Sequence, residues 1–144
     1  MPLAVCATPI GNLEDVTLLA PCPGDAEAIA DALEGTAAFD VEFRRLRRFT
    51  EVSTLYLAPE PAEPFVALTA QLVERFPDWL PYGGVHGTTV IPHLTVTQGP
   101  AEDDAEGAVA KALPLRGRAR EAVLLAEVES GRFESVARFP FRKF

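Results

Sequence analysis

Cysteine is scarce in this chain of 144 residues: Cys6 and Cys22 are too few for a disulfide framework and show neither CxxC spacing nor a neighbouring ligand cluster. They read as ordinary reduced thiols. Two histidines, His86 and His93, are the imidazoles present to move protons near neutral pH. Positive charge is short as well: 13 Lys and Arg stand against 21 Asp and Glu, a net charge of -8. A protein so charged repels polyanions as a whole, which argues against extended non-specific binding to nucleic acid. A small phosphate ligand in a local pocket stays open. No apolar run approaches membrane-spanning length. The stretch Met1 to Ala7 has no basic residue ahead of its apolar part and breaks at Pro9, so it lacks the charged start of a secretory signal. The expectation is a cytoplasmic protein whose residues 1–144 form one domain, long enough to bury a core without staples.

Patterning gives the elements. Leu3 to Thr8 reads as a first strand closed by the turn chemistry of Pro9-Ile10-Gly11-Asn12, and Asp15 to Leu19 as a second. Asp25 is placed to cap an alanine-rich helix over Ala26 to Glu34, ended by Gly35. Phe39, Val41 and Phe43 alternate with Asp40, Glu42 and Arg44, the mark of a half-buried strand, with Ser53 to Leu57 as its neighbour. Pro59 to Pro64 introduces a helix whose Phe65, Leu68, Leu72 and Phe76 make one apolar stripe, and Pro77 stops it. Residues 78–89 form a loop, Ile91 to Thr97 a strand, Ala101 to Leu113 a helix ended by Pro114 and Gly117. Glu121 to Glu127 and Phe133 to Phe139 flank Glu129-Ser130-Gly131-Arg132, a hairpin signal. Hairpins and short connections favour antiparallel pairing, hence an α+β fold.

The residues that carry chemistry lie in Ile91-Pro92-His93-Leu94-Thr95-Val96-Thr97. Strand alternation sends His93, Thr95 and Thr97 one way and Leu94 and Val96 the other. Imidazole moves protons near neutral pH, and a hydroxyl beside it donates to an anionic oxygen.

From Phe39 to Phe141 the chain resembles the two-histidine phosphoesterase superfamily, in its bacterial 2′-5′ RNA ligase-like branch. The resemblance is carried by Leu55-Tyr56-Leu57-Ala58-Pro59, Pro81-Tyr82-Gly83-Gly84, the His-x-Thr-x motif Pro92-His93-Leu94-Thr95-Val96, and Arg138-Phe139-Pro140-Phe141. It implies a bilobal fold of antiparallel sheets backed by helices, with one His-x-Thr-x motif from each sheet facing a cleft. It also implies metal-independent acid/base chemistry with no cofactor: one imidazole takes a proton from the attacking hydroxyl or water, the other protonates the leaving ribose oxygen, and two threonines hold the phosphate. The implied partner is a small nucleotide or RNA terminus with a 2′,3′-cyclic phosphate or a 2′-5′ linkage.

The first motif falls on Asp15-Val16-Thr17-Leu18, which keeps Thr17 but has aspartate where the family has histidine. A carboxylate with the ordinary pKa of ~3.9 can accept a proton weakly and cannot serve as the acid. It also repels a phosphodiester, by about 4 kcal/mol for unit charges at ~4 Å and an effective dielectric of ~20. The N-terminal lobe is abbreviated too, since few residues separate the first strand from this motif. The catalytic candidates are therefore His93, Thr95, Thr17 and Asp15, with Tyr82 and His86 as substrate-binding candidates and no metal ligands. Asp15 also reads as a turn or strand-start residue, His86 as a solvated loop histidine, and Tyr82 and Trp79 as loop packing. The arginine clusters 44, 45, 47, 48 and 116, 118, 120 read as a solvated strand edge, or as a phosphate contact if one borders the cleft.

Other readings stay open. A cleft that has lost one imidazole can bind a phosphate ligand without turnover, and uncovered sheet surface allows an interaction protein or a homodimer. The stretch Ala7 to Leu18 resembles the opening motif of tetrapyrrole-methylase-type ribosomal RNA methyltransferases, which implies part of an S-adenosylmethionine site. That resemblance spans about a dozen residues, and nothing after Leu19 continues it.

Overall fold

The computed structural model describes residues 22–49, 54–79, 91–97, 106–129 and 132–143, and the backbone alone of 4–9, 16–21, 98 and 102–105. The elements run β1 (Ala4–Pro9), β2 (Val16–Pro21), α1 (Ala26–Ala32), β3 (Phe39–Phe49), β4 (Thr54–Glu60), α2 (Glu63–Arg75), β5 (Leu94–Gln98), α3 (Glu102–Ala112), β6 (Leu115–Ala119), β7 (Glu121–Glu129) and β8 (Arg132–Pro140). All the strand pairings are antiparallel, in the order β6-β3-β4-β5-β2-β1-β7-β8. This is the α+β class, a curled antiparallel sheet with three helices among the described residues. The order divides into two four-stranded halves, joined at β2 and β5 by the pairing of Thr17 with Leu94.

Local chemistry explains most boundaries. The Asp25 carboxylate accepts from the Ala28 N–H at 3.2 Å, capping the exposed amides of α1. Gly35 follows the helix at φ +84°, a conformation that costs a residue with a Cβ. Helix α2 buries Phe65, Leu68 and Leu72 as its spacing requires, and the Phe76 N–H closes the last turn on the Leu72 carbonyl at 2.8 Å. This stripe meets Ile29 and Leu33 of α1, Val41 and Phe43 of β3, Leu57 of β4, Leu94 of β5, Leu124 of β7, and Phe139 and Phe141. One core thus draws on both halves of the sheet. The Phe39 ring stands edge-on to Phe65 at 5.0 Å.

The structure departs from the sequence reading in four places. Strand β3 does not stop at Arg44 but continues to Phe49, because the register slips between Phe43 and Arg45. That bulge turns Leu46 to the core side that Val41 and Phe43 occupy, and sets Arg45, Arg47 and Phe49 on the other face. Strand β4 runs through Pro59 to Glu60 rather than ending at Leu57. Proline is tolerated there because β5 pairs only with Thr54 to Leu57, so the Pro59 end of β4 has an open side where no N–H is required. Gly117 does not end a helix but sits inside β6, opposite Val41, in an edge strand that alternation did not mark. Finally, β5 starts at Leu94, one residue after His93.

Candidate active site

Strand β5 places the candidate residues. Leu94 is 8% exposed and lies opposite Leu57 in the core, while Thr95 on the other face is exposed and opposite Tyr56. A register step between Leu55 and Tyr56 inserts Val96 and sets Thr97 opposite buried Leu55. The alternation expected over His93, Thr95 and Thr97 therefore stops at Thr95. Pro92 is buried and carries no N–H, so the ladder cannot begin before it.

His93 stands at the entrance of β5, half-buried, with three contacts that hold its ring. Nδ1 lies 2.8 Å from the Ile91 carbonyl oxygen. A carbonyl only accepts, so Nδ1 carries the hydrogen, and in the neutral ring Nε2 keeps a lone pair. The Phe49 ring meets the imidazole edge-on at 5.2 Å and 88°, and the Tyr56 ring at 5.8 Å and 71°. Phe49 and Tyr56 stack on each other at 4.2 Å. A ring fixed in this way has a defined direction for proton transfer, and the exposed Thr95 hydroxyl lies one pleat away.

The sequence pattern assigns no site role to these aromatic supports. Tyr56 lay within the Leu55 to Pro59 segment, and the only signal for its role was its alternation with buried Leu55 and Leu57. Phe49 lies beyond the arginines that obscured the end of β3.

Thr17 enters through the backbone. Its pairing with Leu94 lays β2, and with it Val16 to Leu18 of the first motif, alongside the strand of the His93 to Val96 motif. Asp15, Tyr82 and His86 lie outside the described residues. Trp79 is half-buried and packs against the core, as loop packing would have it. Cys22 is fully buried.

Most of the arginines meet acid. Strands β3 and β6 pair, and across them Arg118 reaches Asp40 at 2.7 Å and Arg116 reaches Glu42 at 3.4 Å, while within β3 Arg44 reaches Glu42 at 3.0 Å. Arg44 and Arg45 lie 3.8 and 4.0 Å from Glu60, and Arg48 pairs with Glu106 of α3. The hydrogen bond from Arg44 holds the Glu42 carboxyl below the usual carboxylate range, with the charges of Arg44 and Arg116 adding to it. The paired residues form the solvated, charge-alternating edge that protects a sheet from aggregation. Among the described residues no cluster of three or more His, Cys, Asp or Glu is arranged to hold a metal ion, and no helix is long and apolar enough to cross a membrane.

The sequence model of the 2′-5′ RNA ligase superfamily matches residues 13–131. Among solved structures, a crystal structure of a phosphoesterase is similar at 15% identity and a TM-score of 0.64, covering 99% of both chains. The apo form of E. coli LigT gives 13% identity and a TM-score of 0.66 over 98% of each chain. E. coli LigT complexed with 3′-AMP gives 14% and 0.64 over the same share. Likeness at such identities speaks for the fold. No curated protein sequence matches the chain.

Proposed function

Because this chain belongs to the 2′-5′ RNA ligase superfamily, we propose that it is a phosphodiesterase acting on a small nucleotide or RNA terminus bearing a 2′,3′-cyclic phosphate or a 2′-5′ linkage. The observation that carries the reading is the oriented imidazole of His93 beside the exposed hydroxyl of Thr95. In this reading His93 is the principal proton-transfer group. Thr95 donates a hydrogen bond to a non-bridging phosphate oxygen, and Thr17 does the same from β2. In hydrolysis of a cyclic phosphate, water attacks phosphorus, the bond to one ribose oxygen breaks, and that oxygen takes a proton. Two proton transfers are needed, so His93 works with a second group.

Asp15 and His86 are the candidates. Asp15 suits only the accepting role, which leaves protonated His93 to donate through Nε2. His86 suits either role. The LigT structures hold phosphate, 3′-AMP and ATP, which supports a small nucleotide as the ligand class here. The setting we assign is the cytoplasm, the compartment that keeps thiols such as Cys6 and Cys22 reduced.

The test is hydrolysis of nucleoside 2′,3′-cyclic phosphates and 2′-5′-linked dinucleotides by wild type and His93→Ala. Turnover that His93→Ala abolishes supports the reading; equal rates in both, or none in either across the panel, reject it. The aspartate at the first motif favours a second reading, a binding module that holds the nucleotide without turning it over. It predicts that a cyclic nucleotide raises the melting temperature and is recovered intact.

A further inference from the structure

The four arginines of β3 divide by their surroundings. Arg44, Arg45 and Arg48 each have a carboxylate partner in Glu42, Glu60 or Glu106. Arg47 is exposed and, among the described residues, has no carboxylate within ion-pair distance. Its position is also distinct. Arg47 pairs with Tyr56, and Tyr56 pairs with Thr95. Directly opposed residues of antiparallel strands project on the same side, so Arg47, Tyr56 and Thr95 form one row across β3, β4 and β5 on the face that His93 contacts.

The dimensions of that row suit an anionic guest. With strands ~4.8 Å apart, the Arg47 Cα lies about 10 Å from that of Thr95. An arginine side chain, built from bonds of ~1.5 Å, extends roughly 7 Å. On these dimensions the guanidinium comes within reach of a phosphate seated over the Thr95 hydroxyl. The site needs such a cation, because the protein carries a net charge of -8 and position 15 holds an aspartate. A guanidinium meets phosphate through two parallel N–H donors, which an ammonium cannot reproduce.

We propose that Arg47 is a substrate-binding residue that holds a phosphate oxygen of the nucleotide lying over Thr95 and His93, and that it supplies the positive charge the first motif lacks. This rests on the nucleotide reading above and adds a residue to it.

The experiment measures 3′-AMP binding by calorimetry and, separately, kcat and KM for a nucleoside 2′,3′-cyclic phosphate. The variants are Arg47→Ala, Arg47→Lys and, as a control on the distant hairpin, Arg132→Ala. Thermal melting of each verifies folding. Arg47→Ala weakens 3′-AMP binding by about tenfold and raises KM by a similar factor with kcat little changed, since an exposed bidentate contact of this kind contributes on the order of 1.4 kcal/mol. Arg47→Lys recovers part of the loss, added salt narrows the difference, and Arg132→Ala matches wild type. Wild-type affinity in Arg47→Ala, or an equal loss in Arg132→Ala, overturns the assignment. If no variant turns over substrate yet Arg47→Ala still weakens 3′-AMP, the hydrolysis reading fails and the Arg47 assignment stands. If wild type binds no 3′-AMP, both fall.

Discussion

Phe49 is the residue through which the orientation of His93 is most directly tested. Its ring stacks on Tyr56 at 4.2 Å and meets His93 edge-on at 5.2 Å, so Phe49→Leu keeps an apolar side chain but removes two aromatic contacts. Such pairs contribute about 0.5–1.5 kcal/mol each beyond burial, giving an expected loss of roughly 2 kcal/mol. For a domain of this size that is a fall of about 8 °C in Tm. His93→Ala removes the other side of one of these contacts and the hydrogen bond to Ile91, which contributes about 1 kcal/mol. If the ring is held by Phe49, the two substitutions are not additive. The double-mutant cycle Phe49→Leu with His93→Ala should give a coupling of about 1 kcal/mol, measured by urea unfolding with a common m-value. A coupling below ~0.3 kcal/mol, the level at which independent sites add, refutes the claim that aromatic packing orients the imidazole. Where the protein is active, Phe49→Leu should also lower kcat more than it raises KM, because proton transfer depends on direction.

Four further outcomes follow from the packing and the charges. Phe65→Ala empties the centre of the shared core, where Phe65 is 0% exposed, and should cost about 3–5 kcal/mol in chemical denaturation. Asp25→Ala removes the cap on α1 and should cost about 1 kcal/mol, with Asp25→Ser recovering most of it. Gly35→Ala places a Cβ at φ +84° with nothing within 4 Å of it, so a loss of roughly 1 kcal/mol there is backbone strain rather than a clash. The Glu42 carboxyl is held below its usual range, so in the folded protein it loses its proton more readily than in the unfolded chain. Its contribution is present above the unfolded pKa and is lost as pH falls through the folded one. Glu42→Gln should therefore melt below wild type at neutral pH and converge with it in acid.

The elements legible in the sequence are those set by local periodicity. The Phe65, Leu68, Leu72 and Phe76 stripe, the Asp25 cap and the alternation through Phe43 each depend on a few neighbouring residues, and each appears where the pattern puts it. Strand β6 was not legible because Leu115-Arg116-Gly117-Arg118-Ala119 has little strand propensity of its own. It is held by pairing with β3, whose acids Asp40 and Glu42 meet its arginines. The bulge at Arg44 hid the rest of β3, since one extra residue reverses the side that every later residue faces.

The same distinction runs through the site. His93 and Thr95 are visible from their spacing, whereas Phe49 and Tyr56 meet His93 only through the register of three strands separated by connections that no short pattern encodes. The pairing of β2 with β5 is likewise a contact between distant segments, which neither the residue pattern nor the resemblance specified.

The most direct measurement is kcat/KM for a nucleoside 2′,3′-cyclic phosphate in wild type and His93→Ala. Turnover is expected in wild type, and His93→Ala should abolish most of the rate. A rate that survives the loss of the imidazole would contradict the assignment of proton transfer to His93.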